Sequence, residues 1–107
     1  MNAISTVRAL GALAHEARLA VFRLLVQAGP QGLAAGVVAE QLALAPSALT
    51  FHFKELIAAG LLSSRQEGRN VFYSVNANAM KELLAYLTEN CCGGVPCGLE
   101  SASVQCN

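Results

Sequence analysis

The sequence has no tryptophan and few aromatic or charged residues. Of its 107 residues, 6% are aromatic and 13% are charged, whereas 54% are hydrophobic. An ordinary globular chain is about one quarter charged, so this low charge excludes a disordered polyelectrolyte. Much of the hydrophobic fraction is alanine, which favours helices. The length fits one compact domain and leaves no room for a second hydrophobic core.

Long apolar runs are also missing. A membrane-spanning helix needs roughly 18 consecutive apolar residues, but Arg18 and Arg23 interrupt the apolar run at residues 19–22. The first residues lack the basic segment of a secretory signal, and Arg8 interrupts their apolar stretch. The sequence therefore predicts a cytoplasmic chain without a membrane span.

The chain has no excess charge of either sign. Seven Lys and Arg residues balance seven Asp and Glu residues, which gives a formal net charge of +0 and a pI near 6.7. Net charge therefore does not by itself indicate nucleic-acid binding. It does not exclude such binding, because Lys54, Arg65 and Arg69 fall in one central stretch and a dimer would gather two such sets on one face.

All four cysteines lie within the last 17 residues, at Cys91, Cys92, Cys97 and Cys106. A disulfide stabilises a fold most when it joins segments that are distant in the chain, and these cysteines are neighbours. Because no secretory signal is predicted, the pattern favours a cluster of reduced thiols over a disulfide framework.

Hydrophobic periodicity predicts five helices, over residues 3–14, 16–28, 33–43, 47–59 and 77–90. A short turn that contains Pro46 joins the third and fourth helices, and this spacing is typical of a helix-turn-helix motif. Two β-rich runs flank Gly68, so we expect a hairpin whose exposed tip carries Arg65 and Arg69. The predicted fold class is mainly α with one small β-hairpin.

The periodicity also assigns side chains to faces. The second helix is expected to be the central helix of the core, and His15 is interpreted as its cap. The apolar residues of this helix are Leu19, Phe22 and Val26 on one ridge and Val21, Leu24, Leu25 and Ala28 around the rest. Asn76 or Asn78 is the predicted cap of the fifth helix. The side chains of the fourth helix that are expected to face inward are Leu49, Phe53, Leu56 and Ile57. Its opposite side is predicted to carry Ser47, Thr50, Phe51, His52 and Lys54.

The polar side of the fourth helix has two interpretations. Ser47, Thr50, His52 and Lys54 are able to reach base edges or phosphates in a major groove. The alternative is a face that is merely solvated. Phe51 favours the first interpretation if it is exposed, because an aromatic ring on a polar face often meets a thymine methyl group; the alternative is that Phe51 belongs to the core. His52 is interpreted as a DNA contact rather than a metal ligand.

This order of elements resembles the winged helix-turn-helix fold of the ArsR/SmtB family of metal-responsive repressors over residues 5 to 90. The segments that carry the resemblance are AHEARL at 14–19, SALTFHFKEL at 47–56, AGLL at 59–62 and EGRNVFY at 67–73. The resemblance implies a homodimer that binds double-stranded operator DNA. It also implies that Arg65 and Arg69 contact a minor groove or phosphate from the wing.

The chain departs from the best-known family members at the usual inducer site. Those members have a cysteine pair in the helix before the recognition helix, whereas residues 36–40 contain no cysteine. Arsenic-responsive members instead place a vicinal pair and a third cysteine just beyond the last helix, which Cys91, Cys92 and Cys97 resemble. The resemblance thus implies a DNA-binding and dimerisation domain over residues 1–90 and an inducer-binding, flexible tail over residues 91–107.

Trivalent arsenic, As(III), is the inducer that these cysteines are predicted to bind, because it takes three thiolates in a trigonal pyramid. Zinc would need a fourth ligand, and whether Cys106 acts as a ligand stays open. Within the same fold, the alternatives are a sensor of cadmium, antimonite or methylated arsenite, and a thiol sensor of oxidants. The sequence of the operator and the ranking of the inducers also stay open. So does the question whether each site is built within one subunit or shared between two.

A thiol enzyme or a metal-storage module is the alternative from another class. It is disfavoured because Cys91 follows a helix C-terminus, where the helix dipole disfavours a thiolate. No Cys-x-x-Cys motif is present, and no organic cofactor is expected. We therefore predict a regulator and not an enzyme.

The predicted dimer interface consists of Ile4, Val7, Met80, Leu83, Leu84 and Leu87.

Overall fold

The structure is a computed structural model that describes residues 1–94. Cys97 and Cys106 lie outside the described residues. In chain order the elements are α1 (Ala3–Leu13), α2 (Glu16–Ala28), β1 (Leu33–Ala34), α3 (Ala35–Leu42), α4 (Pro46–Ala58), β2 (Leu62–Glu67), β3 (Asn70–Val75) and α5 (Ala77–Leu87). A short 3-10 turn at Cys91–Gly94 follows α5. The mainly α fold with a β-hairpin is confirmed.

Side-chain caps set the start of three helices. Asn2 and Ser5 form a reciprocal capping box at α1, with each side chain bonded to the other residue's backbone N–H. His15 Nδ1 accepts a hydrogen bond from the Ala17 N–H at 3.2 Å, which confirms its interpretation as a cap. At α5, Asn76 Oδ1 accepts from the Ala79 N–H, so Asn76 is the cap and Asn78 is not.

A short strand precedes the helix-turn-helix segment, which the sequence analysis did not predict. The three strands are antiparallel in the order β1, β3, β2, and Leu33 of β1 pairs with Tyr73 of β3. The prediction of one helix over residues 33–43 is therefore wrong at its first two residues. They extend along β3 because Gly32, at φ +71°, lets the backbone pass close to Tyr73.

The core joins all five helices and the sheet. Its buried hydrophobic residues are Ala9, Ala12, Val21, Phe22, Leu25, Val38, Leu49, Phe53, Leu56, Leu61, Leu62, Ala79 and Leu83. Leu19 and Val26 were expected in the core but are exposed, because α2 turns Val21, Phe22 and Leu25 inward. Ile57, also expected inside, is 39% exposed because it lies beside the buried side of α4.

The helix-turn-helix segment ends at a glycine. Gly60, at φ +79°, lies where the Leu61 N–H bonds back to the Leu56 carbonyl at 3.0 Å, a common way to close a helix. The Asn76 side-chain amide donates to the Gly60 carbonyl at 3.1 Å. The end of α4 is therefore tied directly to the start of α5.

The last helix is shorter than predicted. It ends at Leu87 instead of residue 90, and Asn90, Cys92 and Gly93 have positive φ values of 57°, 56° and 67°. Residues 91–94 are predicted as part of a loose tail, but they form a short turn in which Cys92 and Gly93 adopt left-handed backbone conformations. Within residues 1–94, no helix is both long and apolar enough to cross a bilayer.

Candidate nucleic-acid interface

The outer face of α4 consists of Ser47, Thr50, Phe51 and Lys54, and all four side chains are exposed. Their spacing of i, i+3, i+4 and i+7 places them on one stripe of the helix. The opposite stripe buries Leu49, Phe53 and Leu56 in the core. The fold therefore presents three polar side chains and one aromatic ring on a single surface of its second helix-turn-helix element.

The first turn of α4 is open to an anion. Pro46 begins the helix, and Ala45 before it provides no side-chain hydrogen bond to the first N–H groups. Exposed N–H groups at a helix N-terminus attract phosphate. Thr50 Oγ1 donates to the Pro46 carbonyl at 2.9 Å, so its hydroxyl is held in place, and its oxygen retains the capacity to accept a hydrogen bond.

His52 does not lie on the outer face, and that prediction is wrong. Only 7% of its surface is exposed, and Arg18 Nε of α2 donates to its Nδ1 at 3.3 Å. Its ring is 5.0 Å from the ring of His15. The assignment of His52 as a DNA contact loses its geometric basis, because the ring joins α4 to α2 instead of facing solvent.

The pKa of His52 is lowered from its ordinary value of 6.5 by burial, by His15 and by Arg18. Because Nδ1 accepts the hydrogen bond from Arg18, the neutral ring carries its proton on Nε2. Protonation would put a cation on Nδ1 against the guanidinium. Folding therefore favours neutral His52, and this part of the stability is present above pH 6.5 and is lost as the pH falls toward the folded-state pKa.

The substitution His52→Asn is expected to flatten the loss of stability on acidification. Asn Oδ1 keeps an acceptor for Arg18 but does not titrate in this range. Urea unfolding of both proteins between about pH 7.5 and pH 5.5 measures the difference. His15→Asn is the control, since it keeps a helix cap and leaves the burial of His52, the largest cause of its shift. A steep acid dependence in His52→Asn would contradict the assignment.

The hairpin carries only one of its two arginines at the tip. Arg69 is exposed in the turn between β2 and β3, next to Gly68 at φ +61°. Arg65 was predicted there too, but it lies opposite Phe72 in the ladder and its guanidinium covers that ring at 5.0 Å. It also bonds Glu67 at 2.9 Å and the Gln31 carbonyl at 2.8 Å. Arg65 therefore supports the wing, because its donors are directed back to the fold.

The exposed apolar side chains of α1 and α5 lie on two helices that pack against each other. We define the α1–α5 face as Ile4, Val7, Leu84 and Leu87, which are 78%, 69%, 49% and 52% exposed. Of the other residues predicted for the dimer interface, Leu83 is buried in the core and Met80 is half-buried against it. The prediction that Leu83 is a surface contact is thus wrong, because Leu83 faces the interior of its own subunit.

The two cysteines that the structure describes begin a turn that residues 88–90 connect to the end of α5. Cys91 is half-buried and Cys92 is exposed, and the Cys91 N–H bonds the Thr88 carbonyl at 3.0 Å. Among residues 1–94, no group of three His, Cys, Asp or Glu side chains is close enough to hold a metal ion. A site with three thiolates therefore needs a ligand from beyond residue 94, where the predicted ligand Cys97 lies.

Comparison with known proteins identifies the motif. A family model described as a helix-turn-helix domain matches residues 13–65. The transcriptional activator HlyU of Vibrio cholerae is 31% identical over 86 residues, which cover 80% of this chain and 77% of HlyU. The chain belongs to the helix-turn-helix transcriptional regulators. The solved structure of HlyU is 35% identical to this regulator with a TM-score of 0.65, and the match covers 80% of this chain and 94% of the chain in that structure.

Other relatives agree with this identification. Nodulation protein NolR of Rhizobium meliloti is 31% identical over 80 residues, which are 75% of the regulator but only 63% of NolR. A homodimeric winged helix-turn-helix DNA-binding domain from Mycobacterium bovis, titled a possible ArsR-family regulator, is 24% identical with a TM-score of 0.66. Their alignment covers 78% of this chain and 75% of that domain, and it shows that the regulator has an ArsR-type fold.

Regulation, and not catalysis, is the class that these comparisons support, as the sequence predicted. The sequence alone did not indicate that Arg18 contacts both His52 and the Phe51 ring. No local signal pointed to it, because Arg18 and His52 are 34 residues apart in the chain.

Proposed function

We propose that the regulator is a cytoplasmic, homodimeric repressor that binds operator DNA and is released when As(III) binds Cys91, Cys92 and Cys97. The observation that carries the proposal is the position of Cys91 and Cys92, adjacent to each other in a turn that residues 88–90 connect to the end of α5. A ligand that joins these thiols to Cys97 would pull on the end of that helix.

Dimerisation follows from the α1–α5 face and from the small number of cations. Four exposed aliphatic side chains on two packed helices form a surface that a second copy would cover. One subunit offers few cations to DNA, namely Lys54 on α4 and Arg69 on the wing. A dimer doubles the phosphate contacts and places two copies of α4 for successive half-sites, about 34 Å apart.

The ligand chemistry balances without an oxidant or a reductant. Arsenous acid exchanges its three hydroxyl groups for three cysteine sulfurs, and each new As–S bond releases one molecule of water. The three thiol protons leave with the three hydroxyl groups, and the oxidation state of arsenic does not change. Soft thiolate donors are the ligands that favour this exchange.

A path of contacts joins the thiols to the DNA-binding helix. The turn at Cys91–Gly94 follows α5 after residues 88–90, α5 packs against α1, and Asn76 at its start bonds the Gly60 carbonyl at the end of α4. A shift of α5 would change both the α1–α5 face and the placement of α4. A coupling free energy of roughly 1 to 3 kcal/mol is enough to lower operator occupancy substantially.

Arsenic binding is expected to consume three thiols per subunit. Reduced protein titrated with arsenite should bind one arsenic per subunit, and a thiol reagent should then count three fewer reactive thiols. The matched variants are Cys97→Ser, which should leave only two ligands and weaken binding at least tenfold, and Cys106→Ser, which should bind as the natural protein does. Unchanged affinity in Cys97→Ser would contradict the ligand set.

The same titration separates the alternatives within this fold. Binding of cadmium but not of arsenite, with Cys106 consumed as a fourth thiol, would favour a divalent metal sensor. Loss of two thiols on peroxide treatment, with no arsenite binding, would favour an oxidant sensor that forms a disulfide. Either result contradicts the arsenic proposal but leaves the DNA-binding assignment in place.

A further inference from the structure

Phe51 is the one apolar member of the outer face of α4. It is 53% exposed and lies between polar neighbours, with Thr50 beside it and Ser47 and Lys54 one turn away on either side. A large aromatic side chain gains little from exposure to water, and the core of this subunit does not cover it. A partner that binds to this helix face would therefore remove the ring from water, which is favourable.

Arg18 fixes one side of that ring. Its guanidinium carbon is 5.1 Å from the centroid of the Phe51 ring, and its Nε is bonded to buried His52. The cation–π contact favours the observed ring orientation. Because α2 supplies Arg18 and the hydrogen bond anchors it, the ring has a support that does not depend on α4 alone.

A phenyl ring can neither donate a hydrogen bond to a base edge nor pair with a phosphate. The apolar feature that a major groove offers is the C5 methyl group of a pyrimidine, which thymine carries and cytosine lacks. We propose that Phe51, held by Arg18, contacts a C5 methyl group in the operator and makes each half-site specific for thymine at one position. This inference rests on the proposed DNA-binding function and names a determinant of its specificity.

The test begins with DNA that the protein itself selects. Reduced protein is used to enrich bound duplexes from a random library, and each thymine of the enriched site is then replaced by deoxyuridine. This change removes the C5 methyl group and nothing else. Replacement in one half-site should weaken binding about fourfold, the value expected for one buried methyl group, and replacement in both half-sites about fifteenfold.

The variants Phe51→Ala and Arg18→Ala connect that effect to the two residues. Phe51→Ala should bind the thymine and deoxyuridine duplexes equally, whatever its overall affinity. Arg18→Ala should lose most of the discrimination between the thymine and deoxyuridine duplexes. Loss of a positive charge alone would weaken binding to both duplexes equally. Far-ultraviolet circular dichroism checks that each variant is folded. Cytosine and 5-methylcytosine placed at the same position identify the methyl group as the feature that is read, because only the methylated base should restore affinity.

The outcomes are separable. Natural protein that enriches no DNA would contradict the proposed function and this inference together. Natural protein that binds DNA but is indifferent to every thymine-to-deoxyuridine change would overturn this inference alone. Discrimination that survives in Phe51→Ala would also overturn it, and discrimination that survives in Arg18→Ala would remove Arg18 as the positioning residue.

Discussion

Replacement of Leu56 by alanine is expected to lower the free energy of unfolding by about 3 kcal/mol. Leu56 is fully buried where α4 meets the core, and its truncation removes three carbons and leaves a cavity. Alanine keeps the helix propensity high, so the loss comes from packing. The substitution should reduce DNA binding only in proportion to the unfolded fraction, since Leu56 is on the side of α4 away from its outer face.

The neighbouring residue provides the control for this substitution. Ile57→Ala also removes three carbons from α4, but Ile57 is 39% exposed and should cost less than about 1.5 kcal/mol. Urea unfolding of the two variants under the same conditions compares the losses directly. Equal losses would contradict the placement of the two side chains.

Replacement of Gly32 by alanine has a comparable expected effect, about 3 kcal/mol or more. Gly32 has φ +71°, and a Cβ there would collide with the backbone carbonyl of Tyr73. The chain would have to move away from β3, and the pairing of Leu33 with Tyr73 would be lost. Arg65, which bonds the Gln31 carbonyl next to this turn, would lose part of its support as well.

Gly68→Ala separates backbone strain from collision. Gly68 also has a positive φ, +61°, but nothing lies within 4 Å of a Cβ at that position. Its substitution should cost only the left-handed strain, about 1 to 2 kcal/mol. Thermal unfolding of both variants measures the difference. A loss in Gly32→Ala no larger than that in Gly68→Ala would contradict the close approach of residue 32 to β3.

The elements with local signals were predictable from the sequence. Pro46 marked the turn that leads into α4 and Gly68 marked the hairpin turn, and each residue acts through its own backbone preference. The polar stripe of α4 followed from helical spacing. These signals are enough to place Ser47 and Lys54 on a candidate DNA-binding surface from the sequence alone.

The features that were missed depend on partners far along the chain. The strand β1 is two residues long and exists because β3 pairs with it, which no local preference encodes. His52 is inside because Arg18, on another helix, gives its ring a donor and covers Phe51. Arg65 lies back from the tip because the register pairs it with Phe72. Long-range packing decided these positions.

The switch proposed for this regulator connects a thiol site after α5 with a DNA-binding face on α4. The intermediate contacts, α5 against α1 and Asn76 against Gly60, are all within the described residues. Adjacent thiols at Cys91 and Cys92 are the feature that singles out a soft inducer for this helix-turn-helix regulator.

The most direct test of the account is the fluorescence anisotropy of reduced protein bound to its selected operator during an arsenite titration. The account predicts that arsenite releases the natural protein and Cys106→Ser from the DNA, while a variant with serine at positions 91, 92 and 97 stays bound. Natural protein that stays bound at saturating arsenite, or release of the triple variant at the same concentration, would contradict the account.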